Sequence, residues 1–119
     1  MIVDDASFMR MSLKKIVANQ GFEVIAEAEN GLAAVAKFKE LRPDVVTLDI
    51  TMPEMNGIEA LKEIKKIDPG ARVVIVSAMG QESNVREAVL YGARDFILKP
   101  FKEETVSAVL ESIKKSLNR

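Results

Sequence analysis

A short apolar run that ends at a carboxylate constrains the fold of this chain more than any other feature. Residues 45–48 (Val, Val, Thr, Leu) do not alternate between polar and apolar, and Asp49 follows them directly. Such a run is typical of a strand buried on both faces, and strands of this kind belong to parallel sheets covered by helices. Ligands of open parallel sheets bind beyond the carboxyl ends of the strands. Asp49 therefore marks a candidate site, although a lone Asp at this position is also a common cap or turn residue.

Glycine and proline divide the chain into five strand–helix units, because the six glycines and four prolines all fall at or near predicted joints. We predict strands at 2–4, 23–27, 45–48, 72–76 and 95–98, and helices at about 6–19, 31–41, 57–67, 82–90 and 103–117. Alternating strands and helices predict an α/β fold, doubly wound and flavodoxin-like, with helices on both faces of a parallel sheet. Glutamates flank the second strand, which suggests an edge position and the strand order 2-1-3-4-5.

Two of the predicted helices lead to specific packing expectations. The second helix should turn four residues toward the core, namely Leu32, Val35, Phe38 and Leu41. The fourth helix has only a thin apolar stripe, formed by Val85, Ala88 and Val89. We therefore expect the fourth helix to be the least firmly packed.

The composition excludes several classes of function. The 119 residues include no Cys and no His, which excludes thiol chemistry, histidine acid–base catalysis and the usual zinc, copper or haem ligands within this chain. The formal net charge is -1 and the basic residues are dispersed, so we expect no nucleic-acid binding. No apolar run approaches the ~18 residues of a membrane span, and Asp4 and Asp5 interrupt the region where a signal peptide would be apolar. We expect a cytoplasmic protein that does not contact the membrane.

Polar residues follow four of the predicted strands, and the carboxyl ends of parallel strands meet at one edge of a sheet. They are Asp4 and Asp5, Asp49, Ser77 and Lys99. Three carboxylates brought together repel unless they bind a cation, and acidic oxygen ligands suit Mg²⁺. Mg²⁺, the lysine ammonium and the serine hydroxyl could neutralise a phosphoryl group, which leaves Asp49 as the attacking carboxylate. Because the chain has no His, a phosphohistidine donor must belong to a partner protein, or a small phosphodonor must replace it.

The segments IVDD, LDITMPEMNG, VIVSAMG and FILKPF strongly resemble the receiver domain of two-component response regulators, and the resemblance covers essentially the whole chain. The DDASFMRM opening makes the chain most similar to CheY-type chemotaxis regulators. This resemblance implies one receiver domain over 1–119 that acts as a phosphorylation-activated switch and not as an enzyme. Its phosphodonor would be a CheA-like histidine kinase, and its output partner would be a component such as the flagellar motor switch.

The resemblance also assigns roles to individual residues. It implies that Asp49 is the phosphoacceptor, that Asp4 and Asp5 form the acidic pair, and that the backbone carbonyl of Thr51 completes the Mg²⁺ site. The remaining assignments are the switch positions Ser77 and Phe96, the active-site lysine Lys99, and a cis bond between Lys99 and Pro100. Phosphorylation would add negative charge at Asp49, so we expect Ser77 to move toward the phosphoryl group and Phe96 to turn into the space it leaves. The fourth helix, fifth strand and fifth helix would form the output face that reports this change.

Two features depart from the family pattern or adjust it. Only three residues precede Asp4, where family members usually have several more, so we expect a shortened first strand and lower stability or compensating intermolecular packing. Thr51 and Met79 stand where the family adjusts the access of water to the phosphoryl group. The sequence does not give the direction of their effect on dephosphorylation.

Other functions remain open and have different requirements. A haloacid dehalogenase-like phosphatase needs a second Asp two residues after its nucleophile, whereas position 51 is Thr. An FMN-binding flavodoxin would need a hydroxyl- and glycine-rich loop where Asp4 and Asp5 stand. A structural adaptor would keep the fold without phosphorylation. Within the receiver family, a phosphorelay or another non-motor pathway is the alternative to chemotaxis.

Overall fold

The computed structural model describes residues 1–117, which form a five-stranded parallel sheet with helices on both faces. The elements in chain order are β1 (Ile2–Val3), α1 (Ser7–Asn19), β2 (Glu27–Ala28), α2 (Gly31–Leu41), β3 (Val45–Asp49), α3 (Gly57–Ile67), β4 (Arg72–Ser77), α4 (Glu82–Leu90), β5 (Asp95–Leu98) and α5 (Glu103–Leu117). The strand order is β2-β1-β3-β4-β5, and all neighbouring strands are parallel. The predicted doubly wound fold and strand order are confirmed.

The two faces of the sheet bury separate apolar clusters. One cluster joins the sheet to α2, α3 and α4, and it includes Phe38 and Leu61. The other joins the opposite face to α1 and α5, and it includes Leu13 and Leu110. Because side chains alternate along a strand, consecutive residues of β4 enter different clusters. Burial of both faces explains why β3 and β4 read as continuous apolar runs.

The second strand is shorter than predicted and begins later in the chain. Residues 23–27 were expected to form it, whereas β2 comprises only Glu27 and Ala28. Its two residues pair with Ile2 and Val3, which are the only residues of β1. Because β1 has only two residues, only two residues of β2 pair with it. The edge position of β2 is confirmed.

Part of the predicted core face of α2 is wrong. Leu32 and Leu41 are 51% and 43% exposed, while Ala34 and Phe38 are buried. A helix advances about 100° per residue, so residues spaced by three fall back about 60° at each step. The predicted stripe from position 32 to position 41 therefore winds from one face to the opposite one. The i,i+4 pair Ala34 and Phe38 stays on one face.

The prediction that α4 is the least firmly packed helix is confirmed. Of its nine residues, all of them described, only Ala88 is buried, and Val89 is 55% exposed. Polar contacts supplement this limited burial. The Lys62 ammonium of α3 lies 4.3 Å from the centre of the Tyr91 ring and 3.8 Å from a carboxylate oxygen of Glu87. These exposed contacts add little stability, so α4 is held mainly by Ala88 and the partly buried Val85.

Candidate functional site

Three carboxylates meet at the carboxyl end of the sheet. Asp4 and Asp5 follow β1, and Asp49 is the last residue of the neighbouring strand β3. One carboxylate oxygen of each residue lies within 4.8 Å of the other two. Asp4 and Asp49 are buried, whereas Asp5 is exposed, so the cluster opens to solvent on one side. An open set of hard oxygen ligands fits a divalent cation that keeps part of its water shell.

Lys99 brings a positive charge to the same place. Its Nζ lies 3.0 Å from Oδ2 of Asp4 and 3.3 Å from Oδ1 of Asp49. The backbone N–H of Lys99 donates to the carbonyl of Ser77 at 2.6 Å, which attaches the end of β5 to the end of β4. The peptide bond between Lys99 and Pro100 is cis, as expected. The residues predicted to gather from four strands are therefore brought together.

The electrostatics of the cluster favour the arrival of a cation. Burial, reinforced by the charge of Asp4 and opposed by Lys99, raises the pKa of Asp49 to about 6. Burial alone would lower the pKa of Lys99, but its hydrogen bonds and attraction to Asp4 and Asp49 outweigh that effect and raise it. The surroundings of Asp49 therefore disfavour its ionised form. A bound cation would relieve this repulsion.

A tight turn beneath Asp49 shapes the site. The Gly57 N–H donates to the Ile50 carbonyl at 2.7 Å, and a Cβ at position 57 would overlap the backbone carbonyl oxygen of Asp49. Asn56 caps α3 by accepting from the Glu59 N–H at 2.9 Å, and the Glu59 carboxylate accepts from the Asn56 N–H in return. This capping box fixes the start of α3, and only Gly fits at position 57 without displacing the Asp49 backbone.

Ser77 and Phe96 line one apolar cavity between α4 and the ends of β4 and β5. The Ser77 hydroxyl is buried and has no hydrogen-bond partner within residues 1–117. Ser77 lies one residue beyond the point where Asp49 pairs with Val76. Phe96 is 48% exposed, and both residues border a cavity of about 650 Å³ between α4 and β5.

Two residues of the site were missed by the sequence reasoning. The sequence analysis used Gly57 only to mark a joint between two elements, although its lack of a side chain permits the turn under Asp49. Gln81 was not considered, yet its side chain contacts both Thr51 and Ala78. The MNG sequence at 55–57 contains a cap signal that identifies the turn. No spacing rule identifies a hydrogen bond between two loops that are thirty residues apart.

Comparisons with known sequences agree with this geometry. Residues 1–111 match the response regulator receiver domain family. The chain is 61% identical over 118 residues to the chemotaxis protein CheY of Bacillus subtilis, covering 99% of this chain and 96% of that protein. It is 58% identical over 115 residues to CheY of Thermotoga maritima, covering 97% of this chain and 96% of that protein.

Solved structures give the same result. The response regulator domain of Thermotoga maritima CheB is 44% identical with a TM-score of 0.85, and the match covers 99% of this chain and 94% of that one. A CheX–CheY–BeF3–Mg complex from Borrelia burgdorferi contains a chain that is 41% identical with a TM-score of 0.89, covering 94% of this chain and 85% of that one. The fold is therefore shared over nearly all of the chain.

The sequence match and the strand-end site place this chain in the response regulator receiver family, whose members are signalling proteins. Within that family it is a homologue of the CheY chemotaxis regulators, and it is a phosphorylation-activated two-component switch in chemotaxis. Within residues 1–117, no helix combines the length and the apolar character that crossing a membrane requires.

Proposed function

We propose that Asp49 accepts a phosphoryl group from a CheA-like histidine kinase in the cytoplasm. Asp4, Asp5, Asp49 and the backbone carbonyl of Thr51 would hold Mg²⁺ beside it. The observation that carries this proposal is the meeting of three carboxylates within 4.8 Å, with Lys99 at 3.0 and 3.3 Å from two of them. Acidic oxygens and one ammonium are the groups that phosphoryl transfer requires.

The transfer needs no acid or base from this chain. An Asp49 oxygen attacks phosphorus, the phosphorus–nitrogen bond of the donor breaks, and its electron pair stays on the kinase imidazole. Bound Mg²⁺ would neutralise charge on the phosphoryl oxygens. The Lys99 ammonium contacts the accepting carboxylate, and the buried Ser77 hydroxyl is free to donate. Because the chain is itself the phosphoacceptor, it acts as a switch and catalyses only its own phosphorylation and slow dephosphorylation.

The output face combines α4, β5 and α5. It exposes several large apolar side chains, namely Val89, Leu90, Tyr91, Phe96 and Leu98. Phosphorylation would draw the Ser77 hydroxyl toward a phosphoryl oxygen and leave space for Phe96 to turn into the cavity. The altered face would then bind an output partner, which we propose to be a component of the flagellar motor switch. An exposed apolar patch of this kind suits a protein partner.

Phosphorylation can be tested with a small donor. Incubation with acetyl phosphate and Mg²⁺ should add the mass of one phosphoryl group, and chelation of the metal should prevent the gain. Asp49→Asn should abolish the gain, whereas Asp44→Asn, which changes an exposed carboxylate at the start of β3, should not. A gain that persists in Asp49→Asn would place the phosphoryl group elsewhere and refute the assignment.

The output face needs a binding experiment. A purified flagellar motor switch component should bind the wild-type protein more tightly when beryllofluoride and Mg²⁺ are present. Leu90→Asp, at a residue that is 84% exposed on α4, should weaken that binding. Leu32→Asp is a matched control, because Leu32 is 51% exposed on α2 outside the proposed face. Binding that does not change when beryllofluoride is added would exclude this partner.

A further inference from the structure

The side chain of Gln81 joins the two loops that flank the candidate site. Its Nε2 donates to the Thr51 hydroxyl at 2.7 Å, and its Oε1 accepts from the Ala78 N–H at 2.7 Å. Thr51 lies two residues after Asp49, and Ala78 follows Ser77 directly. One amide therefore connects the loop after β3 to the loop after β4.

The side chain of Gln81 does not cap the helix that it precedes. Gln81 is the N-cap residue of α4, and its carbonyl accepts from the Val85 N–H at 3.0 Å. In the described part of the chain its side chain makes no cap hydrogen bond with α4. A capping side chain is ordinarily a significant source of helix stability. Here both ends of the amide are directed to the neighbouring loops instead.

The loop between Ala78 and Gln81 is otherwise open to solvent. Met79 is 77% exposed, and Gly80 has a φ of +89° with no atom within 4 Å of the place where a Cβ would stand. Packing therefore contributes little to holding this loop. The hydrogen bond from Ala78 to Gln81 restrains it where it borders the site.

We infer that Gln81 is a positioning residue that lengthens the lifetime of the phosphoryl group on Asp49. This inference rests on the proposed function. The bridge occupies the Thr51 hydroxyl and keeps the two loops together on the solvent side of the site. Without the bridge the loops separate, and water reaches phosphorus more readily.

The reaction concerned is hydrolysis of the acyl phosphate. A water oxygen forms a bond to phosphorus, and the bond between phosphorus and the Asp49 oxygen breaks. The electron pair of that bond stays on the Asp49 carboxylate, inorganic phosphate departs, and the proton from water passes to solvent. The side chain of Gln81 contacts Ala78 and Thr51 and not the Asp49 carboxylate. It acts through Thr51 and Ala78.

The first test measures the lifetime directly. The protein is phosphorylated with acetyl phosphate and Mg²⁺, the donor is removed, and loss of the phosphorylated mass is followed with time. Gln81→Ala should hydrolyse about fivefold faster, which corresponds to one hydrogen bond of about 1 kcal/mol. Ser83→Ala, at an exposed residue in the first turn of α4, should match the wild type. A Gln81→Ala rate equal to or slower than the wild-type rate overturns the inference.

Two further variants separate positioning from a general loss of structure. Gln81→Glu keeps an acceptor for the Ala78 N–H but, when ionised, cannot donate to Thr51. It should shorten the lifetime while leaving the hydrogen exchange of the Ala78 amide slow. In a Thr51→Val background, Gln81→Ala should change the rate by no more than about twofold, because the bridge is already broken. A full fivefold effect in that background overturns the role of Thr51.

Amide exchange distinguishes failure of the bridge from failure of the proposed function. The Ala78 amide of unphosphorylated protein should exchange faster in Gln81→Ala than in the wild type, as measured by NMR. Equal exchange rates overturn the bridge, whatever the phosphorylation result. If the wild-type protein acquires no phosphoryl group, the proposed function and the effect on lifetime are both refuted, and the exchange data still establish whether the bridge exists.

Discussion

Replacing Asp49 by Asn should stabilise the folded protein at neutral pH when divalent metal is absent. Burial and the charge of Asp4, opposed by Lys99, raise the pKa of Asp49 from 3.8 to about 6. One pKa unit corresponds to about 1.36 kcal/mol, so the ionised carboxylate costs the folded state about 3 kcal/mol. Asn has nearly the same shape and cannot ionise. The variant therefore avoids this cost while keeping the packing of the site.

The sign of the pH dependence follows from the direction of the shift. Because the folded state binds the Asp49 proton more tightly than the unfolded state does, the contribution of Asp49 to stability falls as pH rises from 3.8 to about 6. Above that interval the loss is complete. The advantage of Asp49→Asn should therefore grow from less than about 1 kcal/mol near pH ~4 to about 3 kcal/mol near pH ~7.5.

Urea unfolding in EDTA, followed by circular dichroism, measures this difference. Its slope against denaturant should be the same for both proteins, so that the midpoints report stability alone. Glu40→Gln serves as the control, because Glu40 is an exposed carboxylate on α2 and should show no comparable gain. An Asp49→Asn variant that is less stable than the wild type near neutral pH would refute the reasoning. It would mean that attraction to Lys99 exceeds the cost of burial and the repulsion by Asp4.

Three further changes test other parts of the structure. Mg²⁺ at a hundredfold excess over its dissociation constant should stabilise the wild type by about 2.7 kcal/mol and Asp49→Asn by clearly less, as thermal melts can show. Gly57→Ala should lower the free energy of unfolding by more than about 2 kcal/mol, because the new Cβ would overlap the Asp49 carbonyl. The variant should also be phosphorylated more slowly by acetyl phosphate. An unchanged midpoint in urea would contradict this prediction. Thr47→Val should raise the free energy of unfolding by about 1 kcal/mol, because the buried Thr47 hydroxyl has no partner within residues 1–117; a lower midpoint in urea would contradict this.

The meeting of the site residues could be predicted because it depends on topology alone. Parallel strands present their carboxyl ends at one edge, so the positions of Asp4, Asp49, Ser77 and Lys99 in sequence were enough to place them together. The bounds of α3, α4, β5 and α5 also agree with the prediction, since Gly or Pro marks their joints. The resemblance to the family predicted that the peptide bond before Pro100 is cis, and the structure confirms this.

The remaining features depend on contacts that local patterns do not encode. Only two residues of β2 pair with β1, because β1 has only two residues. The inward face of α2 was misassigned because apolar spacing by three winds around a helix, which leaves Leu32 and Leu41 exposed. The bridge made by Gln81 joins loops that only the folded chain brings together.

Because α4 buries so little of its surface, its sequence can change more freely than that of the other helices. Ala88 is buried and Val85 is partly buried, and together they contribute roughly 2 kcal/mol, whereas a domain of this size is stable by roughly 5–15 kcal/mol. Substitutions on the outer surface of α4 can therefore accumulate without eroding the rest of the molecule. New binding proteins could therefore be recognised through the surface of α4. The residues of the candidate site, at the carboxyl ends of the strands, would stay unchanged.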